Sequence, residues 1–228
     1  MTSDLKILIA TEEHLSYVDV ILQTIADAAK VRGTGIAKRS PEYVSQKISE
    51  GKAIIALDGK EFAGFCYIES WGHEKFVANS GLIVVEKFRG QGLAKDIKKK
   101  AFELSRKRYP HSKIFGLTTG LAVMKINSEL GYRPVTFSEL TDDESFWKGC
   151  QSCVNYDILL RTSRKHCLCT GMLFDPSWKK AQPEEDVAKT LSVYGRWLKF
   201  KQFVLVRRKK TNGSGGNGKR NFMLRFGL

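Results

Sequence analysis

The chain has no run of 18 consecutive apolar residues, so it offers no helix able to span a bilayer. Met1 to Ala10 lacks a basic segment followed by a long apolar one, and the expectation is a cytoplasmic chain without a secretory signal. Cysteine is sparse and odd in number: Cys66, Cys150, Cys153, Cys167 and Cys169. With no export signal, that count argues against a disulfide framework and leaves reduced thiols or a metal site. No internal repeat is present. Wholesale disorder is excluded as well, because 42% of the 228 residues are hydrophobic and 27% charged, enough to build a core.

The net charge of +14 first suggests a nucleic-acid partner. Its distribution weakens that reading. Residues 177–228 hold 13 Lys and Arg against 3 Asp and Glu, whereas residues 1–176 hold 25 against 21. The basic excess belongs to the C-terminal segment, not to the main body.

Strand and helix patterns alternate through the first half. Lys6–Ala10 reads as a strand and Glu12–Lys30 as one amphipathic helix capped by Thr11. Ser40 and Pro41 open a second helix ending near Gly51. Ala53–Leu57 and Phe62–Trp71 flank the hairpin turn Asp58-Gly59. Phe76–Val85 is a strand that Asn79-Ser80-Gly81 predicts to be bulged. A helix over Leu93–Arg108, a strand over Lys113–Thr119 and a helix over Leu121–Leu130 follow. Val154–Leu160 and His166–Phe174 read as a hairpin turning at Arg161–Lys165. Beyond Pro176, residues 177–210 read as a basic helical extension and 211–228 as a flexible Gly/Asn/Ser-rich tail.

The most informative stretch is Leu82 to Lys95: a buried-type strand, a turn with two glycines, then a helix. Free backbone amides at a helix start attract phosphate, and Gly90 and Gly92 remove the Cβ atoms that would block close approach. The turn matches neither the P-loop, since no Gly-Lys-Ser/Thr follows, nor the three-glycine dinucleotide fingerprint.

Arg89-Gly90-Gln91-Gly92-Leu93-Ala94, with a hydrophobic strand before it, a long helix after it and the later close Leu130-Gly131-Tyr132, resembles the signature of the GNAT N-acetyltransferase superfamily. The resemblance covers roughly Lys6 to Phe174. It implies an α/β (α+β) fold: a mixed, mostly antiparallel central sheet flanked by helices, here with a helical C-terminal extension. It implies one acyl-CoA N-acyltransferase domain over residues 1–176, with acetyl-CoA or another acyl-CoA as cofactor and a small-molecule amine as acceptor. Carried over by position, the cofactor contacts are Val84, Val85, Arg89, Gly90, Gln91, Gly92, Leu93, Ala94, Lys95 and Asn127. No membrane is expected as a partner, nucleic acid is not favoured, and a homodimer is allowed.

Two positions depart from the family pattern. The usual base, a Glu eight residues before the Arg, is Gly81; the usual thiol acid, a Tyr, is Asn127, which has no acidic proton to give. Glu69, at the end of the neighbouring strand, is the remaining candidate base, with His73 behind it. The basic loop around Arg32, Lys38 and Arg39 is the candidate for binding acceptor carboxylates. Arg32–Ser40 and Lys125–Ser128 are also similar to bacterial N-acetylglutamate synthases, which implies glutamate as the first acceptor to consider.

Cys150-x-x-Cys153 and Cys167-x-Cys169 have spacings that four zinc-bound thiolates can adopt. The hairpin expected between them would hold the pairs well over ~10 Å apart, at about 3.3 Å per residue, so buried free thiols are the favoured reading. The alternative to an enzyme is a degenerate scaffold that binds RNA or a partner through its basic C-terminal segment.

Overall fold

The computed structural model describes residues 4–32 and 38–178. Along the chain run β1 (Leu5–Ile9), α1 (Val18–Arg32), α2 (Pro41–Ser49), β2 (Ala53–Asp58), β3 (Glu61–Trp71), β4 (Phe76–Val84), α3 (Leu93–Arg108), β5 (Lys113–Thr118), α4 (Leu121–Glu129), β6 (Arg133–Val135), α5 (Glu144–Lys148), α6 (Tyr156–Arg161) and β7 (Thr170–Phe174). The seven strands form one sheet in the order β1-β2-β3-β4-β5-β7-β6. Every neighbouring pair is antiparallel except β4 and β5. The mixed, mostly antiparallel sheet expected from the sequence is therefore what the chain builds.

Alternation along β2 and β3 divides the core between two faces. Ile54, Ala56, Ala63, Cys66 and Ile68 meet Leu93, Ile97, Ala101 and Leu104 of α3, spaced to share one helix face. Ala53, Ile55, Phe62, Phe65 and Tyr67 meet Ile21 and Ile25 of α1 and Val44 and Ile48 of α2. Because both faces are covered, β3 reads as a continuous apolar run rather than an alternating one.

Three local details position the site. Ser40 accepts from the Tyr43 amide at 3.2 Å and Pro41 opens α2, fixing where Tyr43 and Lys47 project. The predicted bulge is present: Phe65 faces Ile83 but Tyr67 faces Ser80, and the extra β4 residue is absorbed where Gly81 has φ +68°. Finally, β4 and β5 pair only at Phe76↔Lys113, Val77↔Ile114 and Ala78↔Phe115, then splay apart.

Two expectations are corrected. The helix expected from Glu12 begins as a 3₁₀ turn, Glu12–Tyr17, because His14 Nδ1 folds back to accept from the Thr11 amide at 3.1 Å; α1 starts only at Val18. Val154–Leu160 is not a strand: Val154 is exposed ahead of the short helix α6, which holds Ile158, Leu159 and Leu160 and of which Leu159 alone is buried. Ser163 and Arg164 turn the chain in the left-handed region, and β7 pairs with β5 and β6 instead. The extension expected over 177–210 and the tail over 211–228 lie outside the described residues, apart from Ser177 and Trp178. Among the described residues, no helix is long and apolar enough to cross a membrane.

Candidate active site

The splay between β4 and β5 opens a cavity of about 460 Å³. Asn79, Ser80, Gly81, Leu82 and Ile83 line it from β4, and Gly116, Leu117 and Thr118 from β5. Asn127 of α4 and Lys98 of α3 reach it from one side of the sheet, and Arg39, Tyr43, Tyr67, Glu69 and Trp71 from the other. A ligand entering the splay therefore meets two chemically different halves.

Past the end of β4, outside the cavity lining, stands the glycine turn. Gly90 and Gly92 have φ +78° and +85°, and a Cβ on either would meet nothing within 4 Å. Neither glycine is needed for internal packing; each preserves an unusual backbone and an open approach. Among the described residues, the amides of Gly90 to Ala94 have no hydrogen-bond acceptor, as expected for the first turn of an uncapped helix. Five unused donors beside the positive end of a 16-residue helix make an anion cradle.

The charged members of the motif behave differently from one another. Arg89 Nε donates to the Val84 carbonyl at 3.1 Å, folding the side chain across the end of β4. The Val85 amide donates to Ala63 of β3, so strand alternation aims the Val84 amide toward the open splay. Lys95 pairs with Glu129 of α4 at 2.7 Å, both ends more than half exposed, which adds little stability. Gln91 donates to the Lys87 carbonyl. None of Arg89 to Lys95 lines the cavity; the turn lies beyond it.

Asn127 is 1% exposed and lines the cavity, and its Oδ1 is buried without a donor. An orphaned amide oxygen here is the complement of an amide N–H on a ligand. The open cradle, the outward Val84 amide and this orphan together fit an elongated ligand with a diphosphate at one end and amides along its arm.

On the other half, Glu69 is held on both oxygens. Lys47 Nζ donates to Oε1 at 2.5 Å, and the Tyr43 hydroxyl donates to Oε2. Burial, then the neighbouring Tyr67, then Glu69 itself push the Tyr43 hydroxyl far above its usual range, so it stays a donor. Arg39 Nε donates to the Tyr67 hydroxyl at 2.6 Å, and its guanidinium stacks near both rings. Burial opposes the Arg39 charge, but the two phenols outweigh it and hold the pKa above the ordinary arginine value. The Lys38 amide donates to Ser152 Oγ at 3.0 Å. Arg32 ends α1, and the loop over 33–37 lies outside the described residues. His73 sits in the β3–β4 turn with φ +54° and does not line the cavity. Trp71 Nε1 is a buried donor without an acceptor on the cavity wall.

Position 81 has a structural reason to be glycine. A Cβ there would lie 2.7 Å from the Tyr67 ring at φ +68°, so Tyr67 occupies the space a Gly81 side chain would need. Gly81→Ala is expected to destabilise the fold by about 2 kcal/mol, combining left-handed strain with overpacking; thermal unfolding measures it.

Sequence reasoning missed Lys98, Tyr43, Lys47 and Tyr67. Lys98 is one of three consecutive lysines, and its offsets of three and seven residues from Ala101 and Ser105 place it on the buried face of α3. The expected hairpin would have held the two cysteine pairs apart, but α6 replaces its first strand and the thiols of both pairs come close enough to interact. Cys150, Cys153 and Cys169 line the cavity, and Cys167 lies close enough to Cys169 for their thiols to interact. Burial first, then neighbouring thiols, push Cys150 up to about 11 and Cys169 up to about 12; burial pushes Cys66 up to about 11. These are protonated, weakly nucleophilic thiols at neutral pH. Among the described residues, no group of three or more His, Cys, Asp or Glu is arranged to hold a metal ion.

Residues 22–122 match the model of the acetyltransferase (GNAT) family. No curated protein matches the chain significantly. Among solved structures, N-acetylglutamate synthase from Neisseria gonorrhoeae, complexed with coenzyme A and N-acetyl-glutamate, is similar at TM-score 0.55 and 14% identity. The similarity covers 78% of this chain but only 36% of that one, so this chain corresponds to about a third of the synthase. Rv2747 from Mycobacterium tuberculosis, in complex with CoA, gives 0.54 and 14%, covering 75% and 98% of the two chains. Diaminobutyrate acetyltransferase EctA from Paenibacillus lautus, in complex with L-2,4-diaminobutyric acid and coenzyme A, gives 0.52 and 11%, covering 78% and 98%.

Proposed function

We propose, from the match of residues 22–122 to the model of the GNAT acetyltransferase family, that the chain is a member of that family and transfers an acetyl group from acetyl-CoA to the amine of a small acidic amino acid, glutamate first. The observation that carries the first half is the row of unused amides from Gly90 to Ala94, opening beside a splay that ends at the orphaned Asn127 oxygen. The amides would take the diphosphate, the Val84 amide and Asn127 Oδ1 the pantetheine arm, with Arg89 and Lys95 adding charge. Bound acetyl-CoA supplies the activated thioester; the chain aligns it and shields it from water.

The acceptor half supports an anionic amino acid. Arg39 holds its charge among two phenols, and Trp71 Nε1 offers a buried donor nearby. Glu69 is the proton acceptor of this proposal: a carboxylate has about four lone-pair sites, so Lys47 and Tyr43 leave capacity for the incoming ammonium. Burial keeps Cys66, Cys150 and Cys169 protonated, which favours direct transfer over attack by any of these three thiols. Two of the similar structures hold an amino acid or its acetylated form together with coenzyme A, which supports an amino acid as acceptor, and the N-acetyl-glutamate in one of them supports an acidic one.

The test is thiol release from acetyl-CoA against a panel of acidic, neutral and basic amino acids. Turnover with glutamate or a close acidic analogue is expected. Coenzyme A binding with no thiol release from any amine overturns the transferase reading. Arg39→Ala is expected to raise the KM for the carboxylate acceptor about tenfold or more, with kcat changed less, as for loss of one charge-assisted contact. An unchanged KM removes Arg39 from the acceptor site.

A further inference from the structure

Lys98, in the second turn of α3, is 2% exposed yet lines the cavity. Its Nζ lies 3.8 Å from where a Cβ on Gly116 would sit, close against β5 where the strand leaves β4. The Tyr132 ring centroid is 5.2 Å away. Among the described residues it has no ion pair and no hydrogen bond.

Its neighbours are occupied with each other. The Tyr132 hydroxyl donates to Asn79 Oδ1 at 2.9 Å, Asn79 Nδ2 to Ser105 Oγ at 2.8 Å, and Ser105 Oγ to the Ala101 carbonyl at 2.8 Å. Cys66 of β3 gives its thiol to the Ser80 carbonyl at 3.3 Å. Of the titratable groups facing Lys98, Cys66 and Tyr132 are both held protonated by burial, so neither is a counter-ion. A buried ammonium left outside a satisfied network is costly to fold around, and such groups gather where a ligand completes the set.

Acyl transfer from a thioester generates one new anion, the sulfur of the departing thiol. On the acyl-CoA reading above, this sulfur forms within the splay, where Asn127 has no acidic proton to offer. We propose that the Lys98 ammonium donates the proton that the coenzyme A sulfur takes up as the carbon–sulfur bond breaks. The acceptor nitrogen bonds to the acyl carbon, the carbon–sulfur electron pair goes to sulfur, and one Nζ proton follows it. Lys98 is left neutral and regains a proton from solvent, while the surplus proton of the acceptor amine leaves through the base on the other half.

Burial supports this assignment by pulling Lys98 down to about 8, near the working pH of a general acid. The ammonium is the majority form at pH 7 and is lost above about 8. The unfolded chain holds its lysine proton up to the ordinary value of 10.5, so stability rises with pH between the two values. Lys98→Met, which removes an unpaired buried charge and keeps the length, is expected to be at least as stable as the wild type at pH 7 and to lose that slope.

The decisive measurement needs no acceptor. Coenzyme A is bound to wild-type protein and to Lys98→Met, and the thiolate absorbance of the bound cofactor is followed against pH. Calorimetry with both proteins comes first: absence of coenzyme A binding to the wild type overturns the acyl-CoA reading itself. With binding established, the bound thiol is expected to titrate at least about one pH unit lower in the wild type than in Lys98→Met. Identical titrations overturn the role of Lys98 and leave the cofactor reading standing. Wild-type protein alone gives a second reading: from pH 7 to 9 its affinity for coenzyme A is expected to change differently from its affinity for the desulfo analogue, and parallel curves overturn the proposal.

Discussion

Gly92→Asp is expected to lower coenzyme A affinity by about 100-fold or more, roughly 2.7 kcal/mol, while the chain stays folded. The two halves of that result have separate causes. Gly92 sits at φ +85° as the residue before α3, with no side chain capping the helix. Asp is among the residues that tolerate the left-handed region best, and its carboxylate can accept from the vacant amides of the first turn. A Cβ there meets nothing within 4 Å, so packing does not suffer. What suffers is the anion cradle, since the new carboxylate takes the amides that a diphosphate needs and repels it. Calorimetry with coenzyme A reads the first half and thermal unfolding the second. Unchanged affinity would remove the Gly90–Ala94 turn from the cofactor site, and with it the main support for the transferase reading.

The turn was legible in the sequence because its chemistry lies in the backbone. Glycines at 90 and 92, flanked by a strand and a helix, announce positive φ and free amides without any side-chain contact. The same holds for the Gly81 bulge. The acceptor half was not legible, because it is assembled from α2, β3 and the segment before α2 by tertiary packing. Nothing in the spacing of Tyr43, Lys47, Tyr67 and Glu69 says that four polar side chains from two elements meet. Lys98 was not legible for a related reason: three consecutive lysines look like a solvated face, and only the helix phase shows that the first of them shares the side of Ala101 and Ser105. The failure at 154–160 was one of length. A run of seven residues with apolar density suits a strand or a short helix, and only pairing partners decide; β7 already had β5 and β6.

The Lys47–Glu69 pair yields the largest stability effect expected from one substitution. Lys47 and Glu69 side chains are 4% and 17% exposed, and the ammonium also lies 4.8 Å from the Tyr43 ring centroid. Lys47→Met leaves the Glu69 carboxylate partly buried with only the Tyr43 hydroxyl against it, and breaking such a pair costs about 3 kcal/mol. For a domain of this size that is a fall in Tm of roughly 6–12 °C. Glu69→Gln leaves the more deeply buried ammonium with a neutral amide oxygen, so it too destabilises. The double variant Lys47→Met, Glu69→Gln removes both charges and is expected to recover a large part of either loss. Activity separates from stability in this cycle. On the proposed mechanism Glu69→Gln and the double variant both lose about 100-fold or more in kcat, because neither has a carboxylate to take the proton of the acceptor amine. Coenzyme A affinity is expected to be unchanged throughout, since the glycine turn is built on other elements. A double variant that regains stability and turnover together would show the pair to be purely structural and would take the base assignment away from Glu69.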